Sequence, residues 1–153
     1  MEGFRVTAEM PVIFRDLDAF GHVNNAVYLT YMENARVAYL ERMGGKGLDA
    51  LRLIIAEVTC TYRSPAYFGE TMRVGIRVSH MGRSSFTMEY RIEEAASTRL
   101  VAEGKSIQVA YDYQAGRPIP VPDEWRRATE RLEGLPPGAF AEREPGHPDG
   151  AAG

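Results

Sequence analysis

One short segment of the sequence, RDLDAFGHVNN at residues 15–25, concentrates side chains that can take part in chemistry. It places the carboxylate of Asp18 a few residues before a predicted helix whose first free N–H groups belong to residues 25–28. Those N–H groups carry the positive end of the helix dipole and can polarise a carbonyl oxygen, while a nearby carboxylate attacks the carbonyl carbon or activates water. The spacing therefore predicts an acyl-transfer site formed by Asp18 and the helix start.

The same residue types are common in ordinary loops, so a structural role competes with the catalytic one. Asn24 or Asn25 can cap the helix, and Gly21 can supply an unusual backbone angle. Asp16 competes with Asp18 as the catalytic acid, but it can instead close the preceding strand or hold the loop through local hydrogen bonds. The residue types alone leave both interpretations open.

The elements on either side of this segment follow from hydrophobic periodicity. Every even position from Phe4 to Phe14 is apolar, which indicates a strand with one buried face. Pro11 lacks an N–H, so we expect it at a bulge or on the edge of a sheet. Residues 26–43 carry apolar side chains at helical spacing and form the only long helix that we predict.

The rest of the chain is predicted to form antiparallel sheet. Apolar periodicity indicates strands at about 53–63, 71–80, 84–93 and 99–113, with connections too short for parallel crossovers. A change of apolar phase near Gly104 predicts a β-bulge in the last strand. One amphipathic helix and one sheet with an apolar face must bury each other, so the predicted fold class is α+β, with about five strands wrapped around one long helix.

Length and composition bound the number of domains and the environment of the protein. A chain of 153 residues, 44% hydrophobic and 25% charged, fits one domain, which we place at residues 1–133 with a short closing helix at 122–132. Residues 134–153 are rich in Pro and Gly and are predicted to be a disordered tail. No window approaches the roughly 20 apolar residues of a membrane span, and no secretory signal is visible, so we expect a soluble, cytoplasmic protein.

Charge and ligand spacing exclude several classes of function. A formal net charge of −3 and a pI near 5.7 argue against a non-specific nucleic-acid binder. The single cysteine, Cys60, and the three histidines at positions 22, 80 and 147 show no zinc-binding spacing. The motifs GxSxG, GxGxxG and GxxxxGK[ST] are also absent. We therefore predict catalysis without a metal ion or a separate cofactor.

The residues DAFGHVNNAVY at 18–28, followed by the helix sequence YMENARVAYL, resemble the signature of the 4-hydroxybenzoyl-CoA thioesterase-like family of acyl-CoA thioesterases. The resemblance covers roughly residues 4–115 and implies the hotdog fold and hydrolysis of an acyl-CoA to a carboxylic acid and coenzyme A. The spacing in that family, three residues before the glycine, selects Asp18 over Asp16 as the catalytic acid. The backbone N–H of Asn25 takes the place of the group that polarises the thioester carbonyl.

The resemblance also implies roles in substrate binding for residues near the loop and in the helix. His22 is expected to shape the loop beside the substrate, and Tyr28 to form part of the pocket wall. Glu33 is expected to lie on the helix side that meets the sheet or a partner subunit, where it contacts the distal end of the acyl group. A solvated helix residue is the structural alternative for Glu33.

A second polar run, GRSSF at residues 82–86, opens one of the predicted strands. In the resembled family this turn lies near the pantetheine and phosphates of coenzyme A, which implies coenzyme A contacts for Arg83, Ser84 and Ser85. Arg63 could assist them, because a guanidinium offers paired N–H donors to phosphate oxygens. A polar hairpin turn without a ligand is the structural alternative.

The resemblance implies an assembly as well as a reaction. In that family the site forms between two subunits, so we expect a homodimer or a dimer of dimers, which would also cover strand edges. The expected partners are an acyl-CoA substrate and a second copy of the chain, with no nucleic acid or membrane. Two other functions stay open, namely an acyl-thioester dehydratase or hydratase with His22 as its base, and a non-catalytic acyl-CoA binding protein.

Overall fold

The computed structural model describes residues 1–44 and 52–142. The elements occur in the order β1 (Val6–Pro11), a single 3-10 turn (Phe14–Asp16), α1 (Val27–Arg42), β2 (Leu53–Tyr62), β3 (Thr71–Met81), β4 (Ser85–Glu94), β5 (Leu100–Asp112), β6 (Arg117–Pro118) and α2 (Asp123–Glu133). Neither helix in these ranges has the length and apolar character that crossing a bilayer requires.

The strands form one antiparallel sheet with α1 packed against it, which confirms the predicted α+β hotdog class. The main strand order is β1-β3-β4-β5-β2, and the two-residue β6 pairs with β5. Pro11 ends the edge strand β1, where it faces Thr71 of β3. An edge position tolerates the missing N–H, as the sequence predicted.

Helix α1 buries one side against the sheet. Its central buried side chains, Tyr28, Met32, Ala35 and Tyr39, repeat at intervals of three and four residues and are at most 2% exposed. Even-numbered side chains of the strands face them. These are Val6 of β1, Met72, Val74, Ile76 and Val78 of β3, and Phe86, Met88, Tyr90 and Ile92 of β4, all of them buried.

Gly104 of β5 lies against the Met32 side chain of the helix. A Cβ atom at this position would lie 2.8 Å from the carbonyl oxygen of Thr59 and would overlap the end of the Met32 side chain. We expect Gly104→Ala to lower the free energy of unfolding by about 2 kcal/mol, because overpacking forces the backbone and Met32 to move. Urea denaturation followed by circular dichroism would measure this loss, and an unchanged midpoint would contradict it.

The bulge predicted near Gly104 is displaced, because the irregularity of β5 lies three residues earlier, at Val101. Pairing of β5 is regular at Gly104 on both sides, and the irregularity against β4 lies at Val101. The even-numbered residues from Ala102 to Ala110 therefore all face the helix, but two of them, Ser106 and Gln108, are polar. The apolar pattern of the sequence suggested a change of register in β5. The cause is instead that polar side chains occupy part of one continuous buried face of this strand.

A chain of hydrogen bonds satisfies these buried polar groups. Arg36 Nη1 donates to the Tyr90 hydroxyl at 2.9 Å, which lies 2.6 Å from Ser106 Oγ. Ser106 in turn donates to Gln108 Oε1, and Gln108 Nε2 donates to the Phe86 carbonyl at 3.2 Å. Each member finds a partner, so polar side chains are tolerated in the core. Burial raises the pKa of Tyr90, which therefore stays protonated.

The carboxyl-terminal segment is more ordered than the sequence suggested. Helix α2 ends at Gly134 in a left-handed conformation with φ of 65°, after which the chain folds back along the helix. The backbone N–H groups of Gly138 and Phe140 donate to the buried Glu130 carboxylate at 3.0 and 2.9 Å. The predicted disorder therefore does not apply to residues 134–142, and the rest of that tail, 143–153, lies outside the described residues.

Candidate active site

The loop between β1 and α1 is a small hairpin. Leu17 pairs with Val23, the Asp18 N–H donates to the His22 carbonyl at 3.0 Å, and the Gly21 N–H donates to the Asp18 carbonyl at 3.1 Å. Gly21 has φ of +84°, a left-handed angle that glycine adopts without strain. Asp18 therefore stands at the start of a tight turn whose geometry depends on Gly21.

Asp16 fixes this hairpin to the body of the protein. Its Oδ2 atom accepts hydrogen bonds from the Ile13 N–H at 3.1 Å and the Tyr31 hydroxyl at 2.9 Å. Its carbonyl oxygen accepts the Asn24 N–H at 2.9 Å. Burial and the Asp16 carboxylate both raise the pKa of Tyr31, which keeps the phenol protonated as the donor. These contacts match the local structural role that was one of the two sequence interpretations of Asp16.

The Asp18 carboxylate is held in place and stays accessible. Its Oδ1 accepts the Phe20 N–H at 2.8 Å, and its Oδ2 lies 3.8 Å from His22 Nδ1. The Asp18 side chain is 22% exposed. His22 Nδ1 also lies 3.3 Å from the Val23 carbonyl, and the Phe20 ring stacks on the imidazole. A reactive carbonyl approaching from outside can therefore reach Asp18, and His22 lies beside it.

The start of α1 offers an unpaired N–H at Asn25. Asn24 closes the turn that leads into the helix, because its Oδ1 accepts the Ala26 N–H and its carbonyl accepts the Val27 N–H, both at 2.9 Å. In residues 1–44 and 52–142, no acceptor pairs with the backbone N–H of Asn25. A trans peptide holds C=O and N–H on opposite sides, so this N–H points away from the helical turn that the Asn24 carbonyl enters. It is suited to polarise a substrate carbonyl.

Tyr62 supports this helix start, although no sequence pattern indicated it. Its hydroxyl donates to the Asn25 carbonyl at 2.6 Å, and its ring packs edge-on against Tyr28 at 5.2 Å. The Tyr28 hydroxyl accepts the Ala66 N–H at 3.2 Å, and burial raises the pKa of Tyr28. Tyr28 is therefore a buried wall next to Asn25. Tyr62 was missed because only the folded register brings the end of β2 to the helix.

Glu33 does not meet the sheet, so that part of its expected position is wrong. The buried positions of α1 are Tyr28, Tyr31, Met32, Ala35, Arg36, Tyr39 and Leu40. Glu33 falls outside this stripe and is exposed to solvent. A contact with a partner subunit stays a prediction.

The residues expected to bind coenzyme A divide between the two ends of the sheet. Arg83 and Ser84 lie in the turn after β3, whereas the Asp18 loop follows β1 at the opposite end of β3. Eleven strand residues separate the ends, roughly 33 Å at the usual rise of a strand. Ser85 opens β4 at the far end, and Arg63 lies at the Asp18 end, where it pairs with Glu103 Oε2 at 3.1 Å. One chain therefore does not bring Asp18 and Arg83 together.

Other candidate reactive groups are sparse. Among the residues that the structure describes, no group of three or more His, Cys, Asp or Glu side chains is placed to hold a metal ion. Cys60 is a half-buried residue of β2, and burial raises the pKa of its thiol. The protonated thiol is a poor nucleophile at neutral pH, which leaves Asp18 as the better candidate.

Comparisons with known proteins point to one superfamily. The model of the Thioesterase-like superfamily matches residues 12–129. The crystal structure of a thioesterase from Thermus thermophilus, complexed with coenzyme A and Zn, superposes with a TM-score of 0.82 and 39% sequence identity. That match covers 89% of this chain and 99% of the other.

Two curated relatives are also similar in sequence. The acyl-acyl carrier protein thioesterase ATL3 of Arabidopsis thaliana is 31% identical over 77% of this chain, which spans only 64% of the plant protein. The long-chain acyl-CoA thioesterase FadM of Escherichia coli is 24% identical over 76% of this chain and 90% of its own length. Both names describe hydrolysis of acyl thioesters.

Proposed function

Because the chain belongs to the thioesterase-like superfamily, we propose that it is an acyl-CoA thioesterase, which hydrolyses an acyl-CoA to a carboxylic acid and free coenzyme A. Relatives and structural neighbours named thioesterases support a thioester hydrolase. One observation carries the assignment of the site: a single short loop presents the accessible Asp18 carboxylate and the unpaired N–H of Asn25, which the described residues leave without an acceptor.

In the proposed reaction the thioester carbonyl oxygen accepts a hydrogen bond from the Asn25 N–H. The helix start stabilises the negative charge that develops on this oxygen as the tetrahedral intermediate forms. Asp18 either removes a proton from water, whose oxygen adds to the carbonyl carbon, or attacks that carbon itself to give an anhydride that water then hydrolyses. The C–S bond breaks, and the coenzyme A thiolate takes up a proton.

The proposal assigns supporting roles around these two groups. His22 and Phe20 shape the turn that carries Asp18, and Tyr28 forms a wall close to Asn25. Coenzyme A enters only as part of the substrate and product, so the proposed reaction requires no further cofactor. Hydrolysis of a panel of acyl-CoA and acyl carrier protein thioesters, followed by release of free thiol, would test the activity, and no turnover of any thioester would exclude it.

We further propose that two copies form the complete site. The last strand of the described sheet, β2, is an open edge with Ile54 and Ile55 at 36% and 38% exposure, which favours pairing with another strand. A two-fold axis there would pair the two β2 strands antiparallel, so the Asp18 end of one sheet would lie beside the far end of the other. The Arg83 turn of one subunit would then approach the Asp18 loop of its partner.

Mixing two impaired variants tests this shared site. Asp18→Asn dimers have no catalytic acid, and Arg83→Ala dimers bind coenzyme A weakly. After subunit exchange we expect activity at low substrate to rise several-fold, because about a quarter of all sites would combine an intact Asp18 with an intact Arg83. A mixture whose activity stays at the average of the two parents, although native mass spectrometry shows exchanged dimers, would contradict sharing.

A specific contact favours a second candidate function. His22 Nδ1 lies 3.8 Å from Asp18 Oδ2, so a histidine and an acid stand together, as a dehydratase or hydratase of acyl thioesters would require. Hydration of an enoyl-CoA can be followed by the loss of its ultraviolet absorbance. If the protein hydrates the enoyl-CoA without releasing thiol, this alternative replaces hydrolysis, and binding without either reaction would indicate a non-catalytic acyl-CoA binding protein.

A further inference from the structure

The turn between β3 and β4 has its carbonyl groups bound from within the protein. The Gly82 and Arg83 carbonyls accept hydrogen bonds from Arg126 Nη2 of α2 at 2.7 and 3.1 Å. The Arg83 carbonyl also accepts the Val121 N–H, and the Ser84 carbonyl accepts the Ala110 N–H, both at 2.8 Å. Three consecutive carbonyl groups of this turn are therefore fixed by other parts of the domain.

This arrangement directs N–H groups of the turn away from the protein. The N–H of Arg83 belongs to the same trans peptide as the Gly82 carbonyl, and the N–H of Ser84 to the same peptide as the Arg83 carbonyl. Each N–H therefore points opposite to a carbonyl that Arg126 holds. Neither finds an acceptor within the described ranges 1–44 and 52–142. Adjacent outward N–H groups favour binding of an anion such as a phosphate.

Arg126, which holds this turn, is an unusual arginine because it is buried and, in the part of the chain that the structure describes, bonds only to backbone carbonyls. Its side chain is 1% exposed, and besides Gly82 and Arg83 it donates to the carbonyls of Val121 at 3.4 Å and Phe140 at 2.8 Å. No carboxylate among residues 1–44 and 52–142 forms an ion pair with it. Burying a charge without a counter-ion is costly, but here the guanidinium places positive charge directly behind the turn, where it would favour a bound anion.

We propose that Arg126 is a positioning residue for coenzyme A. It holds the turn of residues 82–85 so that the outward N–H groups and the Arg83 side chain, which is 73% exposed, bind phosphate groups of the substrate. The Arg83 guanidinium now lies 3.6 Å from the Glu142 carboxylate in an exposed pair that a phosphate can replace. This inference rests on the proposed acyl-CoA substrate, and it assigns Arg126 an effect on binding and not on the chemical step.

The test compares an acyl-CoA with the matching acyl-pantetheine, which carries the thioester but no phosphate. For Arg126→Met we expect KM for acyl-CoA to rise about tenfold with kcat nearly unchanged, the loss typical of one charge-assisted phosphate contact. The kcat/KM for acyl-pantetheine should stay close to that of the unchanged protein. Arg126→Lys retains a charged donor for the same carbonyls, so it should recover part of the affinity for acyl-CoA.

Glu133→Ala is the matched control. It removes the contacts of α2 with the Val78 N–H at 2.9 Å and with the Tyr39 hydroxyl, but it does not touch the turn. We expect this variant to lower the melting temperature and to leave the ratio of acyl-CoA to acyl-pantetheine kcat/KM unchanged. The proposal is overturned if Glu133→Ala changes the ratio as much as Arg126→Met does, or if Arg126→Met leaves the ratio unchanged.

Binding of free coenzyme A, measured by calorimetry, separates this inference from the proposed function. If the unchanged protein hydrolyses neither thioester but binds coenzyme A, and Arg126→Met weakens that binding about tenfold, the proposed hydrolysis fails and the role of Arg126 stands. If hydrolysis occurs and Arg126→Met binds coenzyme A with unchanged affinity, the role of Arg126 fails and hydrolysis stands. If the unchanged protein does not bind coenzyme A, the role of Arg126 fails, and the thiol-release assay alone decides hydrolysis.

Discussion

Replacing Asp18 by Asn is expected to lower kcat for acyl-CoA hydrolysis by about a thousandfold, because an amide neither attacks a carbonyl nor accepts a proton from water. The change is nearly isosteric. The amide oxygen can still accept the Phe20 N–H that now binds Asp18 Oδ1 at 2.8 Å, so the turn should keep its shape. We expect KM to change little, since the carboxylate is assigned to the chemical step and not to the coenzyme A contact. Steady-state kinetics with a released-thiol assay measures both constants.

Asp16→Asn is the matched control for this prediction. Asp16 lies two positions away in the same loop and holds the Ile13 N–H and the Tyr31 hydroxyl. An amide oxygen retains an acceptor for these donors at lower strength, so we expect a lower melting temperature and a kcat close to that of the unchanged protein. If Asp16→Asn abolished turnover while Asp18→Asn did not, the catalytic assignment would move to Asp16.

Local patterns predicted the parts of the site that are contiguous in sequence. Asp18, Gly21 and the helix start occupy one loop, so their spacing specifies both the tight turn and the N–H groups that follow it. The long helix and the strands β3 and β4 also follow from periodicity, since each buries mainly a single face. A motif of this kind needs no knowledge of distant contacts.

Contacts between distant residues could not be predicted in the same way. Tyr62 reaches the Asn25 carbonyl across 37 positions, and Arg126 reaches Gly82 across 44. Neither residue stands in a recognisable pattern, because strand register and helix docking create these contacts only after folding. From the sequence alone, an arginine is expected to be exposed. The burial of Arg126 could not be predicted, because its partners are backbone carbonyls that belong to no side-chain motif.

The three misplacements have related physical causes. Ser106 and Gln108 are polar, so the apolar pattern of the sequence did not show that their side of β5 is buried. They are tolerated in the core because a chain of hydrogen bonds satisfies them. Glu33 directly follows the buried Met32 in the sequence. A shift of one position around the helix is enough to place its side chain outside the buried stripe. The segment 134–142 has few large apolar residues, yet Glu130 orders it by accepting backbone N–H groups.

Replacing Asn25 by Pro tests the other half of the site, because it removes the backbone N–H assigned to the oxyanion. We expect kcat to fall by about a hundredfold to a thousandfold, the usual cost of losing one oxyanion donor. The cost to folding should be small, because no hydrogen bond in the described residues uses this N–H and proline is tolerated at the beginning of a helix. The Asn25 carbonyl, which accepts the Tyr62 hydroxyl, is retained.

Asn25→Ala separates the backbone from the side chain, since it removes the amide group and keeps the N–H. It should turn over acyl-CoA at close to the rate of the unchanged protein. Melting curves and coenzyme A binding must be similar for both variants, because proline also restricts Asn24 to extended angles, and a displaced Asn24 would lose its hydrogen bond from the Ala26 N–H. If the two variants bind coenzyme A equally and also turn over equally, the Asn25 N–H does not bind the oxyanion. If only Asn25→Pro is slow, the Asn25 N–H, which lies two residues before α1, stabilises the transition state.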